Sequence, residues 1–208
     1  INIPDMYGYT SNASVVIIDA CFNGAFNNED YIAGYWIFNP GETMVVKANT
    51  VNTLQDTWTN EHIGLLNAGV CFGNWAKGQL TLESHLFGDA SFRFANAYPE
   101  LDLDKTIVIR RNDSKYWKKL LNHSNCDIRA LAIKTLSETD AITSQEILDI
   151  QRNSESPVVR LEAFMSLKRR ADSYLSQAIR LGVEDSYELL QRLSVQTLDE
   201  CGDPDLKD

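Results

Sequence analysis

The sequence predicts an α/β sheet domain followed by an all-α helical repeat domain. An apolar, β-branched run at residues 15–18 precedes a helical stretch and a second apolar run at residues 44–48, which is the order of a β-α-β unit. A 31-residue repeat of apolar positions occupies the second half. Residues 1–104 contain 3 basic and 12 acidic residues, whereas residues 105–208 contain 16 and 17. We therefore predict a domain boundary after Asp104.

The composition is that of an ordinary globular protein, with 44% apolar and 23% charged residues among 208. Its net charge of −10 argues against a nucleic-acid partner. No apolar run reaches the roughly 18 residues of a membrane span, and the first twenty residues lack the pattern of a signal peptide, so we expect no membrane segment. Because the chain begins with Ile-Asn, we expect a piece of a longer protein.

The β-α-β unit places a cysteine at a position where ligands bind. Val15–Ile18 has the pattern of a strand buried on both faces, and Cys21 follows it. Asn27 or Asn28 is the predicted cap of the helix, and Met44–Ala48 is the next strand. Parallel pairing of the two strands would put Cys21 at the carboxyl edge of the sheet, where ligand crevices of open α/β sheets form.

The other cysteines have no such context. Cys71 lies in a predicted helix over residues 61–77, whose inward face we expect to contain Ile63, Leu66, Val70 and Trp75. The four cysteines show no CxxC pair and no histidine spacing typical of zinc, so we expect neither a metal site nor a cofactor. Their even number permits disulfides, but the spacing does not require one.

The repeat in the second half predicts about three two-helix units. Five positions agree at spacings that share one helix face: Ile128/Val159/Leu190, Arg129/Arg160/Gln191, Ala132/Ala163/Ser194, Ile133/Phe164/Val195 and Leu136/Leu167/Leu198. Each copy leaves room for a preceding shorter helix, at Ser114–Leu121, Ser144–Ile150 and Ser173–Leu181. Such pairs stack because neither helix buries its apolar face alone.

The second half resembles an array of HEAT-type repeats. The segment Cys126-Asp127-Ile128-Arg129-x-x-Ala132-x-x-x-Leu136 is similar to the second helix of that family, and the resemblance covers residues 113–202. It implies an all-α HEAT-like domain that provides a scaffold or binds a protein partner. A generic helical bundle is the alternative.

The first half resembles the C-terminal part of the gingipain-type cysteine peptidases, whose catalytic domains have a caspase-like fold. The resemblance lies in Val16-Ile17-Ile18-Asp19-Ala20-Cys21-Phe22-Asn23-Gly24-Ala25-Phe26, in Gly41-x-x-Met-Val-Val, and in Leu86-Phe87-Gly88-Asp89-Ala90-Ser91-Phe92. It covers residues 12–95 and implies an α/β caspase-like parallel-sheet domain that is incomplete in this chain. Ala90 departs from the family, which commonly has Pro there.

The resemblance implies that Cys21 is the nucleophile of a cysteine-type peptidase. The general-base histidine of the family lies upstream in a His-Gly pair, but His62, His85 and His123 all follow Cys21 and none precedes a glycine. We therefore expect these residues alone to be inactive. Either the upstream part of the same protein supplies the base and completes the sheet, or a degenerate domain binds proteins without cleaving them. Position alone favours a core or surface role for His85.

The loop after the second predicted strand holds the candidate substrate contacts. Asn49 and Trp58 are at the sheet edge expected for Cys21, and in caspase-like peptidases this loop contributes to the substrate pocket. A solvated loop with one packed tryptophan is the alternative. The resemblance also implies a peptide or protein substrate and an extracytoplasmic (secreted or periplasmic) location.

Overall fold

The computed structural model describes residues 1–53, 60–78, 82–202 and residue 206. The chain divides into two compact units, Ile1–Asp104 (the sheet unit) and Lys105–Asp208 (the helical unit). This division falls where the residue composition changes. Within the described residues, no helix has both the length and the apolar character needed to cross a membrane.

The sheet unit contains a three-stranded mixed sheet in the order β1-β2-β3: Val15–Ile17 (β1), Val45–Asn49 (β2) and Ser84–Gly88 (β3). β1 and β2 are parallel, with α1 (Ile32–Phe38) between them in the chain, which confirms the predicted β-α-β unit. β3 is antiparallel to β2, so the prediction of a parallel sheet is wrong for this strand. β3 begins at the carboxyl end of β2, where Ser84 lies opposite Asn49, and runs back to Gly88, which lies opposite Val45.

The prediction that Val15–Ile18 is a strand buried on both faces is wrong. All three residues of β1 are half-buried, whereas all five of β2 are buried. Among the described residues β1 pairs with β2 alone, so it lies at the sheet edge. One face of the sheet packs against α1 through a cluster of Ala33, Val46 and Ala48, with Val16, Ile18, Tyr31, Trp36, Ile37 and Phe87 around it.

Helix α1 begins at Ile32, later than the predicted caps Asn27 and Asn28. The intervening residues form a separate turn, in which the Asn28 amide donates to the Ala25 carbonyl at 3.0 Å. The Ala33 amide donates to the Asn23 carbonyl at 2.9 Å. These hydrogen bonds position the start of the helix, so local capping residues do not determine it.

The predicted helix over residues 61–77 is two helices. A 3₁₀ helix covers Ile63–Ala68, and α2 covers Phe72–Lys77. Gly69 separates them with a φ of 74°, and a Cβ there would approach the Asn96 side chain at 2.8 Å. The inward face is confirmed for Leu66, Val70 and Trp75, but Ile63 is exposed. A further 3₁₀ helix, Ile3–Met6, precedes β1.

The helical unit consists mainly of three pairs of helices. α3 (Leu103–Ile109) contains the unit boundary. The pairs are Ser114–Leu120 (α4) with Cys126–Glu138 (α5), Ser144–Asn153 (α6) with Pro157–Arg170 (α7), and Leu175–Val183 (α8) with Glu188–Cys201 (α9). Each predicted shorter helix agrees with the observed one within three residues at either end. α5 contacts α7, α7 contacts α9, and α6 contacts α8, so equivalent helices lie side by side.

Burial at the repeat positions differs between the copies. The apolar positions are buried in the first two copies: Ile128, Ala132, Ile133, Leu136, Val159, Ala163, Phe164 and Leu167. In the third copy Leu190 and Ser194 are buried, but Val195 is 54% exposed and Leu198 is half-buried. The sequence repeat therefore predicts the position of a residue on its helix, but its burial depends on the neighbouring helix.

Candidate active site

Cys21 lies in the turn that connects β1 to α1. It follows Ile17, the last residue of β1, by four positions, and its side chain is exposed. Its Sγ accepts a hydrogen bond from the backbone amide of Thr53, with an N···S distance of 3.3 Å. Because Thr53 follows the end of β2, the thiol lies at the carboxyl edge of the parallel strands, as the β-α-β pattern predicts.

The residue after Cys21 has an unusual backbone conformation. Phe22 has a φ of 57°, in the left-handed region that disfavours residues with a side chain. The Phe22 amide donates to the Val51 carbonyl at 3.1 Å, and the Gly24 amide donates to the Asn49 carbonyl at 2.8 Å. The last residue of β2 and the loop after it therefore stabilise a strained turn directly after the thiol.

Two buried asparagines connect this turn to the sheet. Asn23 and Asn49 are each 3% exposed. Asn23 Oδ1 accepts a hydrogen bond from the Asn49 amide at 2.8 Å, and its Nδ2 donates to the Ile18 carbonyl at 3.4 Å. Buried amide groups are costly when unpaired, so these bonds favour one arrangement of the turn over others.

The side chain of Asn49, a predicted substrate contact, makes hydrogen bonds to other residues of the sheet unit. Its Nδ2 donates to Asp19 Oδ1 at 3.2 Å and to Thr53 Oγ1 at 3.0 Å. Its Oδ1 accepts from Ser84 Oγ at 2.5 Å. Asn49 thus joins the segment after β1, the loop after β2 and the start of β3. The other predicted substrate contact, Trp58, lies outside the described residues.

Lys47 places a buried positive charge in the same strand. It is 2% exposed, and burial lowers its pKa, while the negative charge of Asp19 acts in the opposite direction. Strand alternation puts Lys47 and Asn49 on one face of β2 and Ala48 on the other. The sequence analysis missed Lys47, Asn23 and Ser84. The signal available for Lys47 was a lysine within the apolar run Met44–Ala48.

The histidines occupy other surroundings. His85 lies opposite Ala48 in the sheet, and its ring packs edge-on against Phe26 with ring centroids 5.4 Å apart. His85 therefore lies on the face of the sheet that packs against α1, whereas the side chain of Asn49 lies on the other face. His62 is buried directly before the first residue of the 3₁₀ helix, with a φ of 55°. His123 belongs to the helical unit, where its Nδ1 accepts from the Asn125 amide.

The remaining cysteines are less exposed than Cys21, and all four are free thiols. The backbone amide of Cys71 donates to Asp104 Oδ1 at 2.9 Å, directly before α2. Cys126 and Cys201 are the first residue of α5 and the last of α9. Cys21 is therefore the only cysteine in a turn at the sheet edge, and the other three are natural controls for its reactivity.

The Gly88-Asp89 pair lies at the other end of β2. Gly88 is opposite Val45 and has a φ of 92°, and a Cβ there would collide with the Met44 carbonyl oxygen. Asp89 Oδ1 accepts hydrogen bonds from the Ser91 hydroxyl at 2.6 Å and from its amide at 2.8 Å, which lowers the pKa of Asp89. This part of the peptidase resemblance therefore lies in a structural turn away from Cys21.

Comparison with known proteins identifies no relative: no family model matches the chain, and neither a curated protein nor a solved structure matches it. The family of the chain therefore stays a hypothesis based on its own residues. The functional argument depends on the geometry around Cys21.

Proposed function

We propose that Cys21 is the nucleophile of a cysteine-type peptidase. The observation that supports this role is the exposed thiol at the carboxyl edge of β1 and β2, directly before a residue in a strained conformation. In α/β-hydrolases the nucleophile also lies on a sharp turn between a strand and a helix, although there the nucleophile itself is the strained residue and here it is the next one, Phe22. The resemblance to gingipain-type peptidases assigns the same residue independently of this geometry.

In the proposed reaction, the Cys21 thiolate attacks the carbonyl carbon of a peptide bond and forms a tetrahedral intermediate. A histidine base takes the thiol proton and then gives it to the leaving amine. The C–N bond breaks to leave a thioester, which water hydrolyses to the free acid and the thiol. We place this histidine in sequence preceding Ile1, and the same upstream part would pair with the edge strand β1. In this proposal the sheet unit is the C-terminal part of a caspase-like domain.

The proposal gives the two candidate substrate residues different roles. The side-chain hydrogen bonds of Asn49 are made to Asp19, Thr53 and Ser84, so Asn49 would act by positioning the turn. Trp58 is the candidate for an apolar contact with the peptide. The acidic sheet unit favours a substrate without negative charge. The extracytoplasmic location in this proposal comes from the resemblance to gingipain-type peptidases alone.

Labelling of the full-length polypeptide with a peptide that carries a thiol-reactive electrophile tests this assignment. We expect Cys21 to react at least about tenfold faster than the other thiols, because a bound peptide places the electrophile beside it. Cys21→Ala should abolish the fast label, whereas Cys71→Ala and Cys126→Ala should retain it. Fast labelling that survives Cys21→Ala would disprove the role of Cys21.

The second candidate is a non-catalytic protein-binding module. The side-by-side packing of equivalent helices in the helical unit supports it, as HEAT-like repeats present such surfaces to protein partners. In this alternative the sheet unit is a degenerate peptidase-like domain. A full-length polypeptide that has no His-Gly pair before Ile1, and in which Cys21 reacts no faster than Cys126, would favour it.

A further inference from the structure

The outer face of α1 forms a small open pocket with the segment that precedes the helix. Its volume is about 260 Å³, and Glu29, Asp30, Tyr31, Tyr35 and Phe38 contribute to its lining. Pockets for drug-sized ligands usually measure roughly 300–1,000 Å³, so this one suits a small molecule or a single head group. It lies entirely within the sheet unit.

Three aromatic rings line the pocket. Tyr35 and Phe38 are three positions apart and share one face of α1, and Tyr31 directly precedes the helix in an extended conformation. Tyr31 packs against Phe87 and Tyr35 against Tyr7, with ring centroids 5.5 and 5.6 Å apart. These contacts restrict both tyrosine rings, whereas the Phe38 side chain is 78% exposed.

Gly34 allows this arrangement. A Cβ at this position would lie 2.9 Å from the Tyr31 ring, closer than a side-chain contact tolerates. The missing side chain therefore lets the Tyr31 ring lie against the helix. A larger residue would displace that ring from the pocket.

The pocket combines these rings with negative charge. Glu29 and Asp30 are both exposed at its edge, in a unit with 3 basic and 12 acidic residues. The Tyr35 hydroxyl donates to Asp30 Oδ1 at 2.7 Å, which raises the pKa of Tyr35. The side-chain Nδ2 of Asn39, which also lines the pocket, donates to the Met6 carbonyl at 2.7 Å. The polar side chains of Asp30, Tyr35 and Asn39 thus bond within the unit, and the pocket offers ring surfaces and negative charge.

We propose that this pocket binds a quaternary ammonium group. The faces of aromatic rings attract cations, and the two carboxylates add a long-range attraction. A primary ammonium or guanidinium group loses hydrogen bonds to water when it enters a site lined by rings. A quaternary ammonium group has no N–H to satisfy, so it loses least on transfer. The chemistry of the lining therefore favours the methylated cation.

Choline and its neutral isostere 3,3-dimethylbutan-1-ol form the decisive pair of probes. The two molecules have nearly the same shape and differ in the charge of the central atom. In calorimetric titrations of the full chain at low ionic strength, we expect choline to bind at least about tenfold more tightly than the isostere. Equal affinities, or no binding of choline, would overturn the proposal.

Variants locate the site. Phe38→Ala should weaken choline binding about two- to fivefold, as expected for one exposed cation–ring contact. Asp30→Asn keeps an acceptor for Tyr35 but removes the charge, and it should weaken binding by a similar factor. Phe94→Ala and Glu42→Gln remove an exposed ring and an exposed charge elsewhere in the sheet unit, so neither should change the affinity. If the pocket variants and the control variants weakened choline binding equally, the cation would bind outside this pocket.

A second comparison separates two sources of the cation. N-acetyl-trimethyllysine methylamide represents a methylated side chain of a protein, and choline represents a small metabolite or head group. Whichever binds more tightly identifies the source, and both results support a quaternary ammonium site. If N-acetyl-lysine methylamide binds as tightly as its trimethylated form, the assignment to a quaternary group is wrong.

Discussion

The two units have the same length of 104 residues but depend on different kinds of contact. In the helical unit, equivalent apolar positions recur every 31 residues and pack against neighbouring helices. At the candidate active site, Asn49 bonds to Asn23 and Ser84, which are 26 and 35 residues away in the chain. We infer that repeated apolar contacts stabilise the helical unit, whereas a few buried polar groups determine the geometry around Cys21.

The largest expected effect is at the centre of the helical unit. Phe164 is fully buried, so Phe164→Ala should lower the free energy of unfolding of this unit by about 3–5 kcal/mol. Its repeat equivalent Val195 is 54% exposed, and Val195→Ala should cost about 0.5 kcal/mol or less. Urea unfolding followed by helical circular dichroism, with amide hydrogen exchange to distinguish the units, measures both. Similar losses for the two variants would contradict the difference in burial between copies.

The next effect tests the sheet unit. Asn49→Leu removes the partners of Asp19, Thr53 and Ser84, so we expect a loss of about 2–3 kcal/mol from unpaired polar groups. Asn52→Leu alters an exposed residue of the same loop and should change stability by about 0.5 kcal/mol or less. Hydrogen exchange of residues in β2 and β3 measures the difference.

The same substitution has a functional consequence. Because Asn49 accepts from the Gly24 amide through its backbone carbonyl, a local change there should also disturb the turn that contains Cys21. We expect Asn49→Leu, but not Asn52→Leu, to slow labelling of Cys21 by the peptide electrophile. A destabilised variant with unchanged labelling would show that the asparagine does not position the thiol.

Local patterns predicted much of this structure. The apolar spacing in the second half predicted the helices that begin at Ser114 and Ser144, and β-branched runs predicted β1 and β2. Both signals come from residues close together in the chain. Cys21 was predicted at the sheet edge because parallel pairing puts the residues after β1 at the carboxyl edge of the sheet.

Long-range contacts explain what the patterns missed. The division of residues 61–77 at Gly69 reflects its close approach to Asn96, and α1 begins where Asn23 accepts from Ala33. The hydrogen bond from the Ser84 hydroxyl to Asn49 depends on the antiparallel direction of β3, which no local pattern indicated. The half-burial of β1 likewise depends on which strands lie beside it.

A smaller effect concerns an ion pair between repeats. Arg160 Nε and Nη2 donate to Asp185 Oδ2 and Oδ1 at 2.7 and 2.8 Å. These bonds, and a further one from the Tyr187 amide, lower the pKa of Asp185. The two side chains are 14% and 10% exposed, so Asp185→Asn should cost about 1–2 kcal/mol at neutral pH, less than a fully buried pair.

The pH dependence of this pair has a definite sign. Since the folded-state pKa of Asp185 is below its value in the unfolded chain, about 3.9, the pair stabilises the unit above that pH. The contribution is lost as the pH falls through the lower, folded-state pKa. The unsubstituted chain should therefore lose more stability than Asp185→Asn between neutral and strongly acidic pH. As a control, Asp149→Asn affects a pair that is 46% and 48% exposed and should cost about 0.5 kcal/mol or less.

The smallest effect compares one strained residue in each unit. Phe22 and Ala171 have φ values of 57° and 50°, where glycine is favoured. Phe22→Gly and Ala171→Gly should each raise the free energy of unfolding by about 0.5 kcal/mol, because relief of strain exceeds the added flexibility of the unfolded chain. Phe22→Ala, which retains the strain, should not stabilise the sheet unit. Denaturant titrations measure these differences.

The labelling rate of Cys21 distinguishes the two strained sites. Ala171 ends α7 in the helical unit, so Ala171→Gly should leave the rate unchanged. Phe22 directly follows the thiol, and a glycine there allows other turn conformations, so Phe22→Gly should slow labelling while it stabilises the fold. If both glycine variants stabilise and neither changes labelling, the strain at Phe22 has no role in presenting the thiol, and the turn is as purely structural as the end of α7.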